Sequence, residues 1–540
     1  MKRKLTILLF LISNCVYLNA QQNLPTSVFS DRDVYVAGET MLVKAFTSTS
    51  GQSKVNYVDL LNLQGKRVSG AILEINNNQA DGFLQLPDSL STGTYVLRSY
   101  SKNTGDQLKA VKEVWIANRF VGLEKTKQIP RLAQINATEH ENNDIKIENL
   151  PEKLGTNANN SLTVNLDQTF ANSLDGDIAV SISLLDDQFR SGSTLWKSEN
   201  SVLGNNSQQE GLVLSGTVVD KKNLQPAYGI NVFFTIPDSI PGFQYYQTRS
   251  DGKFYFQLNN YSGTIQPFIQ CFSSSPLQRL KITIDDSFIS GEMRPATTMQ
   301  PVTDSFKTSN SRNIDAITFQ KIFEQRPFKI EQTTRGRTKE YPYYGNPNKT
   351  IDPHLFIDLP NFTEISRELL PGVKFRNYNN EPSLQVLNSA ASGYFDDMPL
   401  TLIDGIPIRN LNLIKDMGTQ DVKRIEICSI ERFYGNLRFP GVVAIYTTKG
   451  DYSIFQDNDQ FIHATVDAVQ PKIKLTDWEQ KDQNIPDLRQ VLYWAPSLKP
   501  QDSIQVDFKT SSIVGKYCVS VWGRLKDGTL VCSKKQFEVK

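Results

Sequence analysis

The sequence predicts a mainly β, multidomain protein, in which several β-sandwiches are strung around one α+β domain. Three observations predict it. Short apolar runs that alternate with polar residues recur along most of the chain, and Gly, Asp, Asn and Ser punctuate them at short intervals. Val, Ile, Phe and Tyr supply much of a 39% hydrophobic and 10% aromatic fraction, the side chains that suit a pleated surface. One stretch, Met398 to Gly450, departs from this pattern by combining continuous apolar runs with a short helical piece. With 540 residues the length fits three to four domains, more if they are small sandwiches.

The first twenty residues read as a processing signal for export. Lys2-Arg3-Lys4 is the positive start, Leu5 to Leu18 the apolar stretch, and Leu18-Asn19-Ala20 offers a small residue for cleavage before Gln21. Cys15 opens a second expectation, a lipid anchor following Ile12-Ser13-Asn14, for which Asn14 is a poor fit. No other apolar run reaches the about 18 residues that a spanning helix needs. A charged fraction of 21% and a net charge of +1 leave no basic stripe for nucleic acid.

Residues 22–119 form the first expected sandwich. It opens with Asp31-Arg32-Asp33-Val34-Tyr35-Val36-Ala37-Gly38-Glu39-Thr40, and alternating runs follow from Met41 to Phe46, Val55 to Leu61, Phe83 to Leu86, Thr94 to Tyr100 and Ala110 to Ile116. Residues 120–209 begin with a polar crossing and alternate at Ser161 to Leu166 and Gly176 to Leu184, a second sandwich; Ser191 to Gln209 reads as a Ser/Asn-rich linker. Residues 210–300 carry Val213 to Asp220, Ile230 to Ile236 and a Ser250-Asp251-Gly252 turn feeding Lys253 to Gln257, a third sandwich.

Residues 301–455 hold the α+β domain. Asp315 to Gln325 has mixed helical spacing, and Lys329 to Tyr344, basic and aromatic without a period, reads as a loop. Asn361 to Leu370 predicts a helix: Asn361 and Glu364 make a capping box, Phe362, Ile365 and Leu369 one apolar face, and Pro371-Gly372 the stop. That face should cover a sheet built from Ser383 to Leu387, Pro399 to Ile408, Val422 to Ile427 and Val442 to Tyr446, with a helical piece at Asn412 to Met417. Residues 456–540 return to sandwich pattern at Ser503 to Phe508, Tyr517 to Trp522 and Thr529 to Val539.

Several of these motifs resemble known families. Pro399 to Pro407, Asp421 to Ile427, Tyr434-Gly435 and Gly441 to Gly450 together resemble the plug domain of TonB-dependent outer-membrane receptors, over residues 345–450. Such a plug implies a barrel of about 22 strands, roughly 400 residues or more. The residues after Gly450 are too few for that barrel, so the resemblance implies a plug-like body whose barrel belongs to another chain. The Asp31 to Glu39 opening and Gly93 to Arg98 resemble a macroglobulin-type domain, an immunoglobulin- or fibronectin-like sandwich. Gly216-Thr217-Val218 with Asp251-Gly252-Lys253-Phe254 resembles the carboxypeptidase regulatory-like domain, another small sandwich that often precedes a plug. Residues 462–540 also resemble a C-terminal sorting domain for outer-membrane export.

The search for chemistry yields no catalytic, cofactor-binding or metal residue. His140, His354 and His463 fall in separate modules without a partner at i+3 or i+4. No Gly-x-Ser-x-Gly elbow or phosphate-cradling loop occurs. Cys271 and Cys428 lack the Glu-Gln that completes the macroglobulin thioester. Asp186-Asp187 and Asp396-Asp397 are neighbours that point to opposite sides of an extended chain, as in solvated turns. Cys271, Cys428, Cys518 and Cys532 read as buried apolar residues, since a two-residue turn at Asp527-Gly528 sets Phe537, not Cys532, opposite Cys518. Asp88-Ser89-Leu90, Asp238-Ser239-Ile240 and Asp502-Ser503-Ile504 resemble a bacterial O-glycosylation signal.

The expected function is therefore that of a non-catalytic envelope scaffold, docking on an outer-membrane β-barrel or transport assembly, with no cofactor and no transmembrane span of its own. The alternative is an extracellular glycan- or peptide-binding protein, which an exposed aromatic row around Tyr341, Tyr343 and Tyr344 would favour.

Overall fold

The computed structural model describes residues 26–47, 53–102, 108–121, 123, 126–133, 139–197, 208–238, 240–272, 279–289, 295–323, 328–333, 341–378, 381–391, 393–477 and 485–540. Residues 1–20, expected as an export signal and including Cys15, and Ser239 lie outside them. The fold is mainly β, and the chain divides into two compact units. One comprises Met1–Leu212, Phe288–Thr334 and Asp467–Lys540; the other comprises Val213–Ser287 and Arg335–Val466.

The first unit contains two sandwiches. In one, the sheet of Ser27–Ser30, Thr40–Phe46 and Gln79–Gln85 faces a second sheet ordered Ser193–Lys197, Leu108–Ala117, Gly93–Tyr100, Val55–Asn62 and Arg67–Glu74. Val28, Val43, Val58, Leu60, Leu97 and Val114 meet between them, as the period-2 pattern requires. Ser193–Lys197 corrects the linker expected from Ser191: it pairs with the edge of Leu108–Ala117. On the outer face of this second sheet, turned away from that core, Arg98 reaches Asp59 through two hydrogen bonds of 2.9 and 2.5 Å, a forked ion pair almost wholly shielded from water.

The other sandwich corrects the expected division into 120–209 and 456–540. Ile178–Leu184 lies between Val491–Leu498 and Gly515–Arg524 in one sheet, and Asn159–Leu166 pairs with Ser503–Lys509 in the other. Both stretches share one core, where Leu162, Val164 and Ile182 pack with Val506, Val519 and Phe537. A strand records which of its faces is apolar but not which strand flanks it, so two halves of one sandwich read as two sandwiches.

Two further elements of this unit differ from expectation. Phe328–Thr333 is a strand paired with Lys472–Asp477, where a loop was expected from Lys329. The helix expected from Asp315 begins eleven residues earlier, as Asp304–Ile322, with the Thr303 hydroxyl accepting from Phe306 N. Its sandwich-facing side includes buried Asn310, Asn313 and Gln320 beside Phe306 and Ile317, which hides it from an apolar-period search.

In the second unit, the sheets Lys253–Gln257, Val213–Asp220, Leu280–Ile284 and Gly242–Gln247, Asn231–Ile236, Phe268–Phe272, Phe461–His463 make a sandwich. Beside it stands a five-stranded mixed sheet ordered Lys349–Ile351, Val422–Cys428, Val442–Thr447, Leu400–Ile403 and Ile406–Ile408. Both faces of this sheet are covered. Val443 and Ile445 look toward helix Phe362–Leu369 and hairpin Val373–Tyr378/Glu381–Val386, whereas Val442, Ala444 and Tyr446 look toward the sandwich's Phe233. Double coverage explains why Val442 to Tyr446 is continuously apolar. The helix forms as its sequence requires, with Asn361 Oδ1 accepting from Glu364 N at 3.0 Å and Phe362 and Ile365 buried.

Candidate functional site

Three places in the chain combine side chains in ways that could serve recognition, and the first is the Asp31 to Glu39 corner. Here every distinctive residue of the opening motif is used internally. Asp31 Oδ1 accepts from the Tyr35 hydroxyl (2.8 Å) and Leu42 N (2.9 Å), Arg32 pairs with Glu39, and Glu39 Oε2 accepts from Val36 N (2.6 Å). Burial pushes the Asp31 carboxyl up; it acts against the Arg32 charge as well, but Glu39 and Asp31 outweigh it and hold that guanidinium above its ordinary value.

A cavity of about 380 Å³ opens beside this corner, lined among others by Asp33, Lys112, Asp186, Arg190 and Cys518. Lys112 Nζ sits between Asp33 (2.6 Å) and Ser30 Oγ (2.9 Å). Asp186 accepts from Gln188 N, Phe189 N and Ser309 Oγ, and Asp187 pairs with Arg190 and Lys516. The neighbouring carboxylates thus close a turn, and the charges of the cavity are largely committed to one another.

The second place is the aromatic cluster of the second unit. Tyr344 is 1% exposed, and its hydroxyl donates to Glu426 Oε2 at 2.5 Å and lies 2.7 Å from the Tyr446 hydroxyl. Tyr343 stacks on Phe243 with centroids 4.5 Å apart, while Tyr341 is 52% exposed. The row expected as a ligand platform is therefore mostly core, and burial raises the Tyr343 and Tyr344 phenols. Their hydroxyls find partners here because buried polar groups must.

The third place was not foreseen. Leu355, Phe356 and Ile357 are 79%, 57% and 70% exposed, three large apolar side chains in succession in the α+β domain. Their backbone is fixed. Asp352 caps the turn Pro353–Leu355 through His354 N, Phe356 N donates to Pro353 O, and buried Pro353 and Leu359 anchor the two ends. Asp358 continues the anchor by accepting from Thr419 Oγ1 at 2.5 Å. The only signal in the sequence is an apolar triplet between Pro353 and Pro360 that belongs to no helical or alternating run.

His140 lies in a strand beside Val531, His354 is exposed in the capped turn, and His463 stacks on Phe268 at 4.2 Å. Among the described residues no group of three or more His, Cys, Asp or Glu is placed to hold a metal. Cys271, Cys428, Cys518 and Cys532 are buried and unbridged, and burial pushes the Cys271 thiol up to about 12. The final hairpin turns through three residues, Lys526 to Gly528, because Leu525 N bonds Thr529 O; this sets Gln536, not Phe537, opposite Cys518.

No family model and no curated protein matches the sequence. Among solved structures, the native conformation of E. coli alpha-2-macroglobulin is similar at 10% identity over 96% of this chain and 40% of that chain, with a TM-score of 0.23. Salmonella alpha-2-macroglobulin reacted with methylamine gives 8% identity, 96% and 40% coverage and 0.22; a tetra-tandem repeat from a large adhesion protein gives 8%, 96% and 99%, and 0.14. The chain spans about two-fifths of the length of these macroglobulins. At such scores the likenesses decide neither the fold nor the function of this chain.

Proposed function

We propose that this protein is a non-catalytic scaffold or accessory protein of the cell envelope, which docks through protein–protein contacts on an outer-membrane β-barrel or a transport assembly. The observation that carries the proposal is the Leu355-Phe356-Ile357 ridge. Isolated exposed apolar residues are ordinary, but a rigid contiguous group is the kind of surface that a partner covers. Its place in the domain that resembles a receptor plug supports a barrel as partner, because such a body is shaped to pack against one. The export signal of residues 1–20 supports an envelope location; a lipid anchor on Cys15 is the less favoured alternative to cleavage after Ala20, which would remove that residue. No described helix is long and apolar enough to cross a membrane, which says nothing of β-barrels.

A photo-crosslinking residue placed at Phe356 in intact cells tests this. The expected product joins the chain to an outer-membrane β-barrel protein, and Leu355→Asp with Phe356→Asp abolishes it at unchanged thermal midpoint, since both side chains already stand in water. Recovery solely as an uncrosslinked soluble monomer overturns the proposal. The alternative of an extracellular glycan- or peptide-binding protein draws no support from Tyr341, Tyr343 and Tyr344, since Tyr344 is buried and Tyr343 is half-buried against the same core.

A further inference from the structure

Helix Asp304–Ile322 touches both sandwiches of the first unit, at Trp115 through Asn310 and at Val514 through Arg312. Beside the second contact lies a cavity of about 370 Å³, which shares Arg32, Val34, Leu184, Leu185 and Asp186 with the cavity at the Asp31 to Glu39 corner. Its volume falls within the roughly 300–1,000 Å³ of small-molecule sites. We infer that it binds a small monocarboxylate with an aliphatic chain, the carboxylate resting on Arg312 and Gln490.

Two donors in the wall of this cavity lack acceptors. Gln490 is 3% exposed, and its Nε2 has no hydrogen-bond partner among the described residues. A buried N–H left unmet costs more than a typical formed bond contributes, so this amide calls for an acceptor from the cavity. Arg312, on the exposed side of the helix, donates to Val514 O at 3.3 Å and has no carboxylate partner among the described residues. The two oxygens of a carboxylate match a guanidinium fork and still accept from an amide N–H.

The other charges of the lining restrict the ligand to one negative charge. Arg32 is held by Glu39, Asp187 pairs with Arg190 (2.8 Å) and Lys516 (3.1 Å), and Asp186 accepts from Gln188 N, Phe189 N and Ser309 Oγ. A dianion such as phosphate would stand near two carboxylates with one uncommitted cation to meet it, and like charges brought together are costly. Val34, Leu184, Leu185 and Val514 complete the wall with apolar surface, which suits an aliphatic chain. A free fatty acid and the apolar last residue of a polypeptide both present this chemistry, and the test separates them.

Titration calorimetry on the full chain tests the inference with hexanoate, with N-acetyl-leucine in place of a polypeptide end, with hexanamide and N-acetyl-leucinamide as their uncharged counterparts, and with inorganic phosphate. At least one of the two carboxylates is expected to saturate with a Kd near or below about 1 mM, and the tighter of the two identifies the source. Its amide and phosphate should each bind about tenfold more weakly. Arg312→Gln should weaken the carboxylate about tenfold at unchanged thermal midpoint, since that side chain stands in water, and Gln490→Leu about threefold. The inference fails if neither carboxylate saturates, if the amide or phosphate binds as tightly, or if either variant binds as the parent does. Because the cavity and the ridge belong to different units of the chain, failure at one leaves the other standing.

Discussion

Lys44 shows how burial sets the behaviour of a single residue. It is 0% exposed, its ammonium donates to Ser497 Oγ at 2.9 Å, and burial, only partly offset by Asp81 and Asp177, brings its pKa down to about 8. In the unfolded chain the same group titrates near its ordinary 10.5. Between those values the unfolded state binds more protons than the folded one, so stability rises with pH across that window; below about 8 the buried charge exerts its full cost. Lys44→Met is therefore expected to raise stability at pH 7 by on the order of 1–3 kcal/mol and to flatten the rise between pH 8 and 9.5. Urea denaturation of parent and variant at pH 7, 8, 9 and 9.5 checks this, and equal slopes would count against it. Lys109, also lowered to about 8, keeps part of the rise in both proteins. The opening motif carries the same lesson from the other side: Asp31, Arg32, Tyr35 and Glu39 were legible as a pattern, and what they do is satisfy one another.

Among elements, Pro399 to Ile408, expected to supply one strand of the sheet, folds as the hairpin Leu400–Ile403 to Ile406–Ile408. Its two turn residues, Asp404 and Gly405, have φ of 50° and 84°, the conformation that a two-residue turn between right-twisted strands demands. Asp404 also bonds Thr447 N at 2.8 Å and Thr447 Oγ1 at 2.7 Å, tying the turn to the central strand. An alanine Cβ at position 405 would lie 2.5 Å from Pro241 Cβ as well as straining the backbone. Gly405→Ala should cost about 1–3 kcal/mol, read as a lowered midpoint in urea by circular dichroism; an unchanged midpoint would show that the turn relaxes freely. Helix Phe362–Leu369 was legible because a cap and a period of 3.6 are both local. Helix Asp304–Ile322 was visible only in its second half. Its contact with the sandwich runs through Asn310 Oδ1, which accepts from Trp115 Nε1 at 3.0 Å, and buried amides leave no apolar period to find.

Across the whole molecule, the consequential feature is that one sandwich is built from strands more than 300 residues apart, Ile178–Leu184 pairing with Gly515–Arg524. A chain ending at residue 490 would lack Val491–Leu498, Ser503–Lys509, Gly515–Arg524 and Leu530–Val539, leaving Asn159–Leu166 and Ile178–Leu184 without those neighbours and the core around Leu162 and Ile182 open. Limited proteolysis should then cleave readily between 139 and 184, where the full chain resists; a resistant fragment spanning those residues would refute the dependence.

The sequence by itself determined the strand-rich class, the turns, the capped helix, the burial of the four cysteines and the mixed character of the α+β domain. These follow from periods, caps and turn residues, which act within a few positions of the chain. Only the tertiary structure decided which strands share a sheet, that Tyr343 and Tyr344 pack into a core, and that Leu355 to Ile357 face solvent. Those outcomes depend on the partner each face meets, and a face's apolarity states that it needs a partner without saying which one it finds.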